Sequence, residues 1–234
     1  RRGARVHPTA QAQALYEAVR RSYAGLDLLD QAARRIRAHP VGTVRIAALA
    51  AIAMAILPAV IARFRILYPD IKIIVESLGQ RAIEERVFLG QADLGVGVDM
   101  QGREGIRSTP LARAEYVCTL PANHPLAARE RLAISDLAGE EFVGPMHEAD
   151  ALWTGIDTAL ETSGISVSRR LETQHSQILY AFVEAGLGVT IAEPFSAPRF
   201  HRLGVAVRPI SPPVYLDFAL LEPDIGSSPE IVAW

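Results

Sequence analysis

The apolar positions divide the chain into a front segment with one helical spacing and a longer remainder in which two spacings alternate. Over residues 15–36, apolar or small side chains follow one another at steps of four and three residues, the repeat of a helix that packs against a second helix along one seam. This strip consists of Leu15, Val19, Ser22, Leu26, Leu29, Ala33 and Ile36. His39 and Pro40 end the pattern, because proline and the residue before it disfavour helix.

The length of this helix decides how we interpret its strip. About thirty residues, at about 1.5 Å each, span about 45 Å, which is more than a neighbouring loop can cover. Gly25 weakens the helix propensity, so the helix would be only marginally stable in isolation. We therefore predict a dimerisation helix; packing of the strip on its own domain is the alternative.

Beyond Pro40 the pattern changes to strands and helices in alternation. Strand patterns fall at 42–49, 71–76, 92–98, 115–121, 168–173, 189–194 and 214–223, with a helical turn and a strand at 135–145. Helix patterns fall at 53–69, 80–90, 149–164 and 176–186. This alternation predicts α/β architecture with parallel sheets.

Two segments of the remainder resemble one another. Residues 75–98 and 171–191 both run from strand through a short polar turn and a helix to a second strand. Gly90 and Gly186 near the two helix ends suit the left-handed position that terminates a helix. Two similar units imply two α/β lobes, and a cleft between such lobes is a natural site for a small molecule.

Composition places the chain among packed globular proteins. Half of the 234 residues are apolar and 21% are charged, and the longest apolar run, from Ile46, is broken by Pro58. The basic N-terminus is not followed by an apolar segment and cleavage site of a secretory signal, so we expect a cytoplasmic protein. Because Cys118 is the single cysteine of the sequence, no internal disulfide can form, and we interpret its side chain as small, buried and apolar.

The charge is unevenly distributed along the chain. Eight arginines against three acids give residues 1–40 a net charge of +5, and since the whole chain carries −2, the remaining 194 residues carry −7. A basic leader on an acidic body is expected when the leader lies near nucleic acid. A solvated, arginine-rich helix without a nucleic-acid partner is the alternative.

Several segments resemble one protein family. "RRGARVHPT" before the front helix, and "GTVRIAALAAIAMAILPAVIARFRILYPDIKI", "GQADLGVGV", "LPANHPLA", "DLAGEEFV" and "AFVEAGLGVTIAEP" after it, occur in the order and at the spacing of LysR-type transcriptional regulators. Within that family, "LETQHSQ" and "VRRSYAGLD" are most similar to the branch with the lysine-biosynthesis and opine-catabolism regulators. The resemblance covers almost the whole chain.

The resemblance implies a domain organisation. Residues 1–40 would hold the remnant of a DNA-binding wing and the dimerisation linker helix, 41–118 with 214–234 regulatory lobe I, and 119–213 regulatory lobe II. The fold would be two Rossmann-like lobes of the periplasmic-binding-protein type 2, joined by two crossover strands with hinges near Cys118 and Val214. A winged helix-turn-helix that binds DNA would precede Arg1, and "PEIVAW" would begin a further helix.

The resemblance also implies an effector site in the cleft, where helix N-termini can hold a carboxylate. The residues implied are Ala50, Ala51, Ser77, Gln80, Pro145, Met146, His147, His175, Ser176, Ile191 and Glu193. We expect polar contacts from Gln80, His147, Ser176 and Glu193, the last to an ammonium or guanidinium group. Three alternatives stay open: Glu193 as a solvated loop acid, His147 as a surface residue and Ser176 as a plain helix cap.

Catalytic and metal-binding patterns are weak. His175 and Ser176 with Glu172 superficially resemble a hydrolytic triad, but neighbours on one helical turn aim poorly at each other and no G-x-S-x-G is present. His147-Glu148 is not followed by the second histidine that a zinc-binding H-E-x-x-H helix requires. No glycine-rich phosphate-binding loop precedes a predicted helix. We therefore expect no enzyme activity, no metal and no cofactor.

Together these observations predict the effector-sensing and oligomerisation region of a LysR-type regulator. Its expected partners are an amino-acid-like or opine-like small molecule, further copies of itself in a dimer or a full-length tetramer, and DNA, but no membrane. Effector binding would close or re-angle the two lobes. A stand-alone solute-binding protein for a small organic anion or amino acid is the alternative function.

Overall fold

The computed structural model describes residues 42–99, 104–146 and 151–224. The predicted front helix with its apolar strip, His147, and residues 225–234 lie outside these ranges, so the dimerisation helix stays a prediction. Among the described residues, no helix is both long enough and apolar enough to cross a membrane.

The described residues form eleven strands and six α-helices. The strands are β1 (Thr43–Ala48), β2 (Lys72–Ser77), β3 (Leu94–Val98), β4 (Ile106–Glu115), β5 (Val117–Pro121), β6 (Leu132–Ala133), β7 (Glu141–Pro145), β8 (Ser168–Thr173), β9 (Thr190–Ala192), β10 (Val205–Ser211) and β11 (Tyr215–Pro223). The helices are α1 (Ala50–Ala55), α2 (Leu57–Leu67), α3 (Gln80–Phe88), α4 (Ala151–Thr162), α5 (Ser176–Glu184) and α6 (Ala197–His201). Short 3-10 helices span Pro125–Ala128 and Ile134–Leu137.

The strands form two separate layers of sheet. The first has the order β2-β1-β3-β11-β4, and the second has the order β6-β10-β5-β9. The pair β7-β8 extends the second layer, because the Val143 N–H donates to the Val189 carbonyl and the Val189 N–H to the Glu141 carbonyl, next to β9. Each layer carries helices, which gives two α/β lobes as predicted.

The sheets are mixed, so the prediction of parallel sheets is wrong in part. β1 pairs in parallel with β2 and β3, and β7 with β8, as expected for strand–helix–strand units. However, β11 runs antiparallel to β3 and β4, and β5 runs antiparallel to β9 and β10. The antiparallel strands are those by which the chain leaves one lobe and later returns to it.

The two crossings between the lobes lie side by side. The chain passes from β4 to β5 at Tyr116 and from β10 to β11 at Val214, and the Tyr116 N–H donates to the Val214 carbonyl at 2.9 Å. Cys118 is fully buried, as predicted. It lies in β5 of the second sheet, however, so the first lobe ends about two residues before the predicted boundary at residue 118. Burial raises the pKa of the Cys118 thiol to about 12, so the thiol stays protonated.

The predicted helix at 53–69 is in fact two helices. α1 begins three residues earlier, at Ala50, and the chain breaks at Ile56 before α2 begins. Pro58 is the second residue of α2, where its missing N–H costs nothing, but its ring would clash with the carbonyl of a helix continued from Met54. The break sets α1 apart as a short helix whose first residues face the cleft.

The two predicted helix-ending glycines adopt the predicted conformation. Gly90 has φ 62° after α3 and Gly186 has φ 77° after α5, in the left-handed region that glycine occupies without strain. The internal resemblance between 75–98 and 171–191 therefore corresponds to two helices that end in the same way, one in each lobe.

Candidate functional site

A cavity lies where the two lobes meet. The first lobe contributes the turn after β1, the turn after β2 and the face of β11, while the second contributes the start of α4, the turn into α5 and the residue after β9. Its walls are formed by Leu49, Ala50, Ala51, Leu78, Gly79, Tyr116, Leu152, Trp153, Gln174, His175, Ser176, Gln177, Glu193, Leu216 and Phe218. This is the place between lobes, at strand and helix ends, where α/β proteins bind ligands.

Apolar side chains form most of the wall, and they leave little space. Leu49, Leu78, Leu216 and Phe218 come from the first lobe and face Trp153 from the second. The cavity has a volume of about 50 Å³ and is partly open to solvent, which is room for a few water molecules. A larger metabolite would extend out of this opening or would need the lobes or the wall side chains to move apart.

The polar wall of the cavity is the N-terminal end of α5. His175 is the residue that caps this helix, and its side chain makes no capping hydrogen bond. The first N–H groups of a helix have no acceptor within the helix and carry positive potential. Ser176 and Gln177 follow in the first turn and also line the cavity.

Glu193 lies behind Ser176 and is almost completely enclosed, with 7% of its surface exposed. Its Oε1 accepts hydrogen bonds from the Ser176 hydroxyl at 2.9 Å and the Ser196 hydroxyl at 2.6 Å. Its Oε2 accepts from the backbone N–H of Phe195 at 2.6 Å and of Ser196 at 3.0 Å. A carboxylate has about four lone-pair sites, so protein donors occupy all of them.

Burial raises the pKa of the Glu193 carboxyl above its ordinary value. The hydrogen bonds from Ser196, Ser176 and Phe195 oppose this effect because they favour the charged form. The two neighbouring phenols, Tyr116 and Tyr180, have pKa values raised by their own burial and then by the charge of Glu193, so both stay neutral.

Gln177 presents an unused donor beside Ser176. Its Nε2 is buried, and no acceptor lies within hydrogen-bonding distance among the described residues. An unpaired buried amide is unfavourable by about 1–3 kcal/mol, and such a group in a native protein is often explained by an ordered water or ion. Gln177 lines the cavity, but its Nε2 has almost no solvent-accessible surface.

Tyr116 joins the cavity to the crossing between the lobes. Its backbone N–H bonds to Val214, its hydroxyl donates to the Leu152 carbonyl, and its ring lies 6.1 Å from the ring of Trp153. Leu152 and Trp153 belong to the first turn of α4. Trp153 is thus in contact with the residue at which the chain crosses between the lobes.

The structure brings together some of the residues predicted for the effector site. Ala50, Ala51, His175, Ser176 and Glu193 all line the cavity. Glu193 is not the solvated loop acid of the alternative reading, since it is buried and bonded as described above.

The other predicted residues do not line this cavity. Ser77 is exposed at the end of β2, Met146 is 40% exposed after β7, and Pro145 and Ile191 are buried within β7 and β9. His147 lies outside the described residues. Nothing therefore supports a ligand contact by these residues in this conformation.

Gln80 has a role inside the first lobe instead. It is 2% exposed, its Nε2 donates to Glu84 at 2.8 Å and to the Val98 carbonyl at 3.1 Å, and its Oε1 accepts from the Val98 N–H at 2.8 Å. A side chain at Gly97 would collide with the Gln80 amide. The expectation that Gln80 contacts the effector finds no support in this conformation, because its amide holds the end of β3.

Sequence reasoning missed several wall residues. Gln177 follows Ser176 directly, yet a single glutamine in a helix start is an ordinary surface residue in sequence terms. Trp153 and Tyr116 carried a weak signal, since large aromatic residues with a polar end are typical of binding sites. The apolar residues of β11 gave no such signal, because a buried strand and a strand that lines a cavity show the same pattern of apolar residues.

The hydrogen bonding of Ser176 also bears on the triad-like pattern of His175, Ser176 and Glu172. The Ser176 hydroxyl donates to Glu193, and a serine nucleophile would have to donate to a base such as histidine instead. Within the described ranges, no three of the residues His, Cys, Asp and Glu converge on a point that could hold a metal ion.

Comparison with known proteins identifies the family. The model of the LysR substrate binding domain matches residues 37–224. The chain belongs to this LysR family. It therefore contains the effector-binding domain of a LysR-type transcriptional regulator, which confirms the predicted family and the predicted role as an effector-binding region.

Individual LysR-family relatives span most of the chain. It is 29% identical over 233 residues to the regulatory protein NocR of Agrobacterium tumefaciens (strain T37), covering 100% of this chain and 77% of that protein. It is 30% identical over 228 residues to the octopine catabolism/uptake operon regulatory protein OccR of Rhizobium meliloti, covering 95% and 72%. Both relatives are named as regulatory proteins.

A solved structure supports the fold. The effector-binding domain of QuiR in complex with shikimate superimposes with a TM-score of 0.71 at 17% identity, covering 80% of this chain and 90% of that one. At this identity the likeness shows the two-lobed fold alone.

Proposed function

We propose that the chain senses a small amino-acid-like metabolite in the cavity between its lobes and transmits the event to DNA through paired front helices. In this proposal the two lobes move as separate units, with their boundaries at the crossings near Tyr116 and Val214, because β5 belongs to the second sheet. The dimerisation strip of residues 15–36 joins two copies, and a full-length tetramer forms from two such dimers. DNA is bound by a winged helix-turn-helix upstream of Arg1.

One observation carries the proposal: a cavity of mixed character lies between the lobes and beside the residue that connects them. Its apolar wall suits an aliphatic or aromatic body, and the α5 end with Glu193 suits a charged head group. The relative OccR is named for octopine, an amino-acid derivative, which supports an amino-acid-like ligand. The likeness to regulators also supports the absence of enzyme activity and a cytoplasmic location, where bacterial DNA is bound.

The size of the cavity supports a direction for the conformational change. Because the space of about 50 Å³ has room for only a few water molecules, an enclosed ligand re-angles the lobes and opens the cleft rather than closing it. The ligand can shift this equilibrium only by its differential affinity for the two conformations, typically about 1–3 kcal/mol in allosteric proteins.

Ligand binding is tested first with octopine, L-lysine and L-arginine. A compound at one hundred times its Kd should raise the free energy of unfolding by about 2.7 kcal/mol, which is detected as a higher melting temperature. The fluorescence of Trp153 should change at the same concentrations. The radius of gyration from small-angle scattering should increase with saturating ligand.

Two matched variants locate the binding site. Ala51→Leu fills the cavity from the start of α1, whereas Ala55→Leu makes the same change at an exposed position at the end of that helix. Ala51→Leu should abolish the thermal shift and Ala55→Leu should keep it. An equal shift in both variants would show that the ligand binds elsewhere and would refute the proposed site.

A further inference from the structure

We propose that an ion pair between Glu115 and Arg131 sets the angle between the two lobes, which makes Arg131 a positioning residue for effector sensing. The inference rests on the lobe movement in the proposed function and adds the contact that regulates it. Neither side chain lines the cavity, so the pair acts from outside the binding site.

The first step concerns where the two side chains lie. Glu115 is the last residue of β4 and pairs with Tyr215, the first residue of β11, so it lies in the first sheet beside both crossings. Arg131 lies directly before β6, an edge strand of the second sheet. One charge therefore belongs to each lobe, near the place where the chain passes between them.

The second step concerns the attachment of Arg131 to the second lobe. Its Nη1 donates to the Ile210 carbonyl at 2.9 Å, and Ile210 pairs with β6 in the second sheet. The residues before Arg131 are also attached to β10, since Arg208 donates to the carbonyl of Arg129. The guanidinium of Arg131 should therefore move with the second lobe.

The third step concerns the contact itself. Arg131 Nη1 lies 3.5 Å from Glu115 Oε1. This carboxylate oxygen has almost no accessible surface and accepts no hydrogen bond from the described residues, which is unfavourable without an opposite charge nearby. Arg113, the other arginine at this end of β4, is paired with Asp217. Arg131 thus supplies the positive charge beside Glu115.

The position of the pair gives it a conformational effect. A rotation at the crossings changes the distance between Glu115 and Arg131, because the two residues lie in different lobes. An interaction biases a conformational equilibrium only when its strength differs between the conformations, and this pair meets that condition. Its loss should therefore populate more open arrangements of the lobes in the absence of ligand.

The test measures the distance between the lobes of the full chain without ligand. Arg81→Cys on α3 and Glu184→Cys on α5 place nitroxide labels at exposed helix positions, one in each lobe. The native Cys118 is fully buried and should not react. Labelled chains diluted with unlabelled chains give distances within one chain by pulsed electron paramagnetic resonance.

Removal of either charge should have the same effect on this distance. Glu115→Gln and Arg131→Gln should each broaden the distance distribution, and the double variant should broaden it no further than either single change, because the two residues act through one contact. Glu115→Gln leaves the bond from Arg131 to the Ile210 carbonyl in place. It therefore decides the outcome if Arg131→Gln does not fold.

Glu76→Gln is the matched control. Arg86 Nε lies 3.4 Å from Glu76 Oε2, and the Glu76 side chain is 36% exposed against 35% for Glu115. Both residues of this control pair belong to the first lobe, in β2 and α3. Glu76→Gln should therefore leave the distance distribution unchanged.

Octopine titration by tryptophan fluorescence tests the link to effector binding. Because the proposed function has the more open arrangement bind the ligand, a larger population of that arrangement lowers the apparent Kd. The decrease in Glu115→Gln should be about two- to fivefold, as expected for a partly exposed ion pair. Glu76→Gln should leave the Kd unchanged.

Broader distances in both single variants, without further broadening in the double variant, would support the inference. Distances equal to those of the wild type, or an equal change in Glu76→Gln, would overturn it even when the variants lower stability. Broader distances with an unchanged or higher Kd would overturn the link to effector binding. The absence of any response to octopine would count against the proposed function, whereas the ligand-free distances still decide the role of the ion pair.

Discussion

Two side chains that come from corresponding places in the two lobes illustrate how little a residue type reveals about its role. Gln80 begins α3 in the first lobe, and Ser176 begins α5 in the second. Both were expected to contact the effector. Gln80 instead turns inward and bonds to Val98 and Glu84, whereas Ser176 lines the cavity and bonds to Glu193.

The inward role of Gln80 predicts a stability effect without a binding effect. Gln80→Leu leaves the buried N–H and carbonyl of Val98 without their side-chain partner, so the free energy of unfolding should fall by about 1–3 kcal/mol. Ligand affinity of the folded variant should change less than about twofold, since Gln80 does not line the cavity. Chemical denaturation and ligand titration measure the two quantities. A large loss of affinity with normal stability would contradict the structural role.

The buried carboxyl of Glu193 predicts a pH dependence of stability. Its pKa is raised in the native state, so the native protein binds this proton more tightly than the unfolded chain, whose glutamates titrate near about 4.3. The stabilising contribution is complete below that value and is lost as the pH rises through the native pKa. Glu193→Gln lacks this titration.

The measurement compares wild type and Glu193→Gln by denaturation at a series of pH values. The free energy of unfolding of wild type should fall relative to that of the variant as the pH rises above about 4.3. A difference that shrinks or stays constant with rising pH would show that the native pKa is not raised.

At the scale of elements, most strands and helices were predictable because each buries one periodic face. Those missed were β4, β6, β10 and α6. β4 contains Pro110 at a register shift of an edge strand and exposes most of its side chains, so it has no apolar alternation. β10 contains Pro209 and is held by Arg208, which donates to the carbonyls of Arg129 and Ala127. These contacts join residues about eighty positions apart, and no local pattern contains them.

The attachment of α4 to the crossing between the lobes can be tested at Tyr116. Tyr116→Phe keeps the ring but removes the donor to the Leu152 carbonyl, so the free energy of unfolding should fall by about 1 kcal/mol. Tyr215→Phe is the matched control, because its ring is partly exposed under Arg113 and the phenylalanine ring can keep that contact. Equal effects of the two changes would mean that the Tyr116 hydroxyl does not fasten α4.

At the scale of the whole molecule, the family and the two-lobed fold followed from the order of many weak motifs. The site was harder to predict, because its walls come from turns of both lobes and their distances depend on how the lobes meet. Ala50, Ala51 and the α5 start were correct as positions on helix N-termini. Trp153, Tyr116 and Gln177 became visible only when the lobes were placed together.

The dimerisation strip predicts the assembly state. Leu26→Asp places a charge in the seam of the front helix, and desolvating this charge should convert the dimer into a monomer of 25.4 kDa. Gln31→Asp introduces the same charge between strip positions and should leave the dimer intact. Size-exclusion chromatography with light scattering measures both masses. A wild-type chain that is monomeric at micromolar concentration would refute the proposed helix pairing.

The hydrogen bond between Tyr116 and Val214 has a consequence for how such proteins can be recombined. Glu115 and Tyr215 are paired in the same ladder, so the chain leaves the first lobe and returns to it at neighbouring points. In sequence terms, the second lobe is a cassette inserted between β4 and β11 of the first lobe. A gene fusion that exchanges only this cassette between relatives would join chain ends that already lie next to each other. Ligand preference carried by α5 could then be transplanted while the first lobe and its leader stay the same.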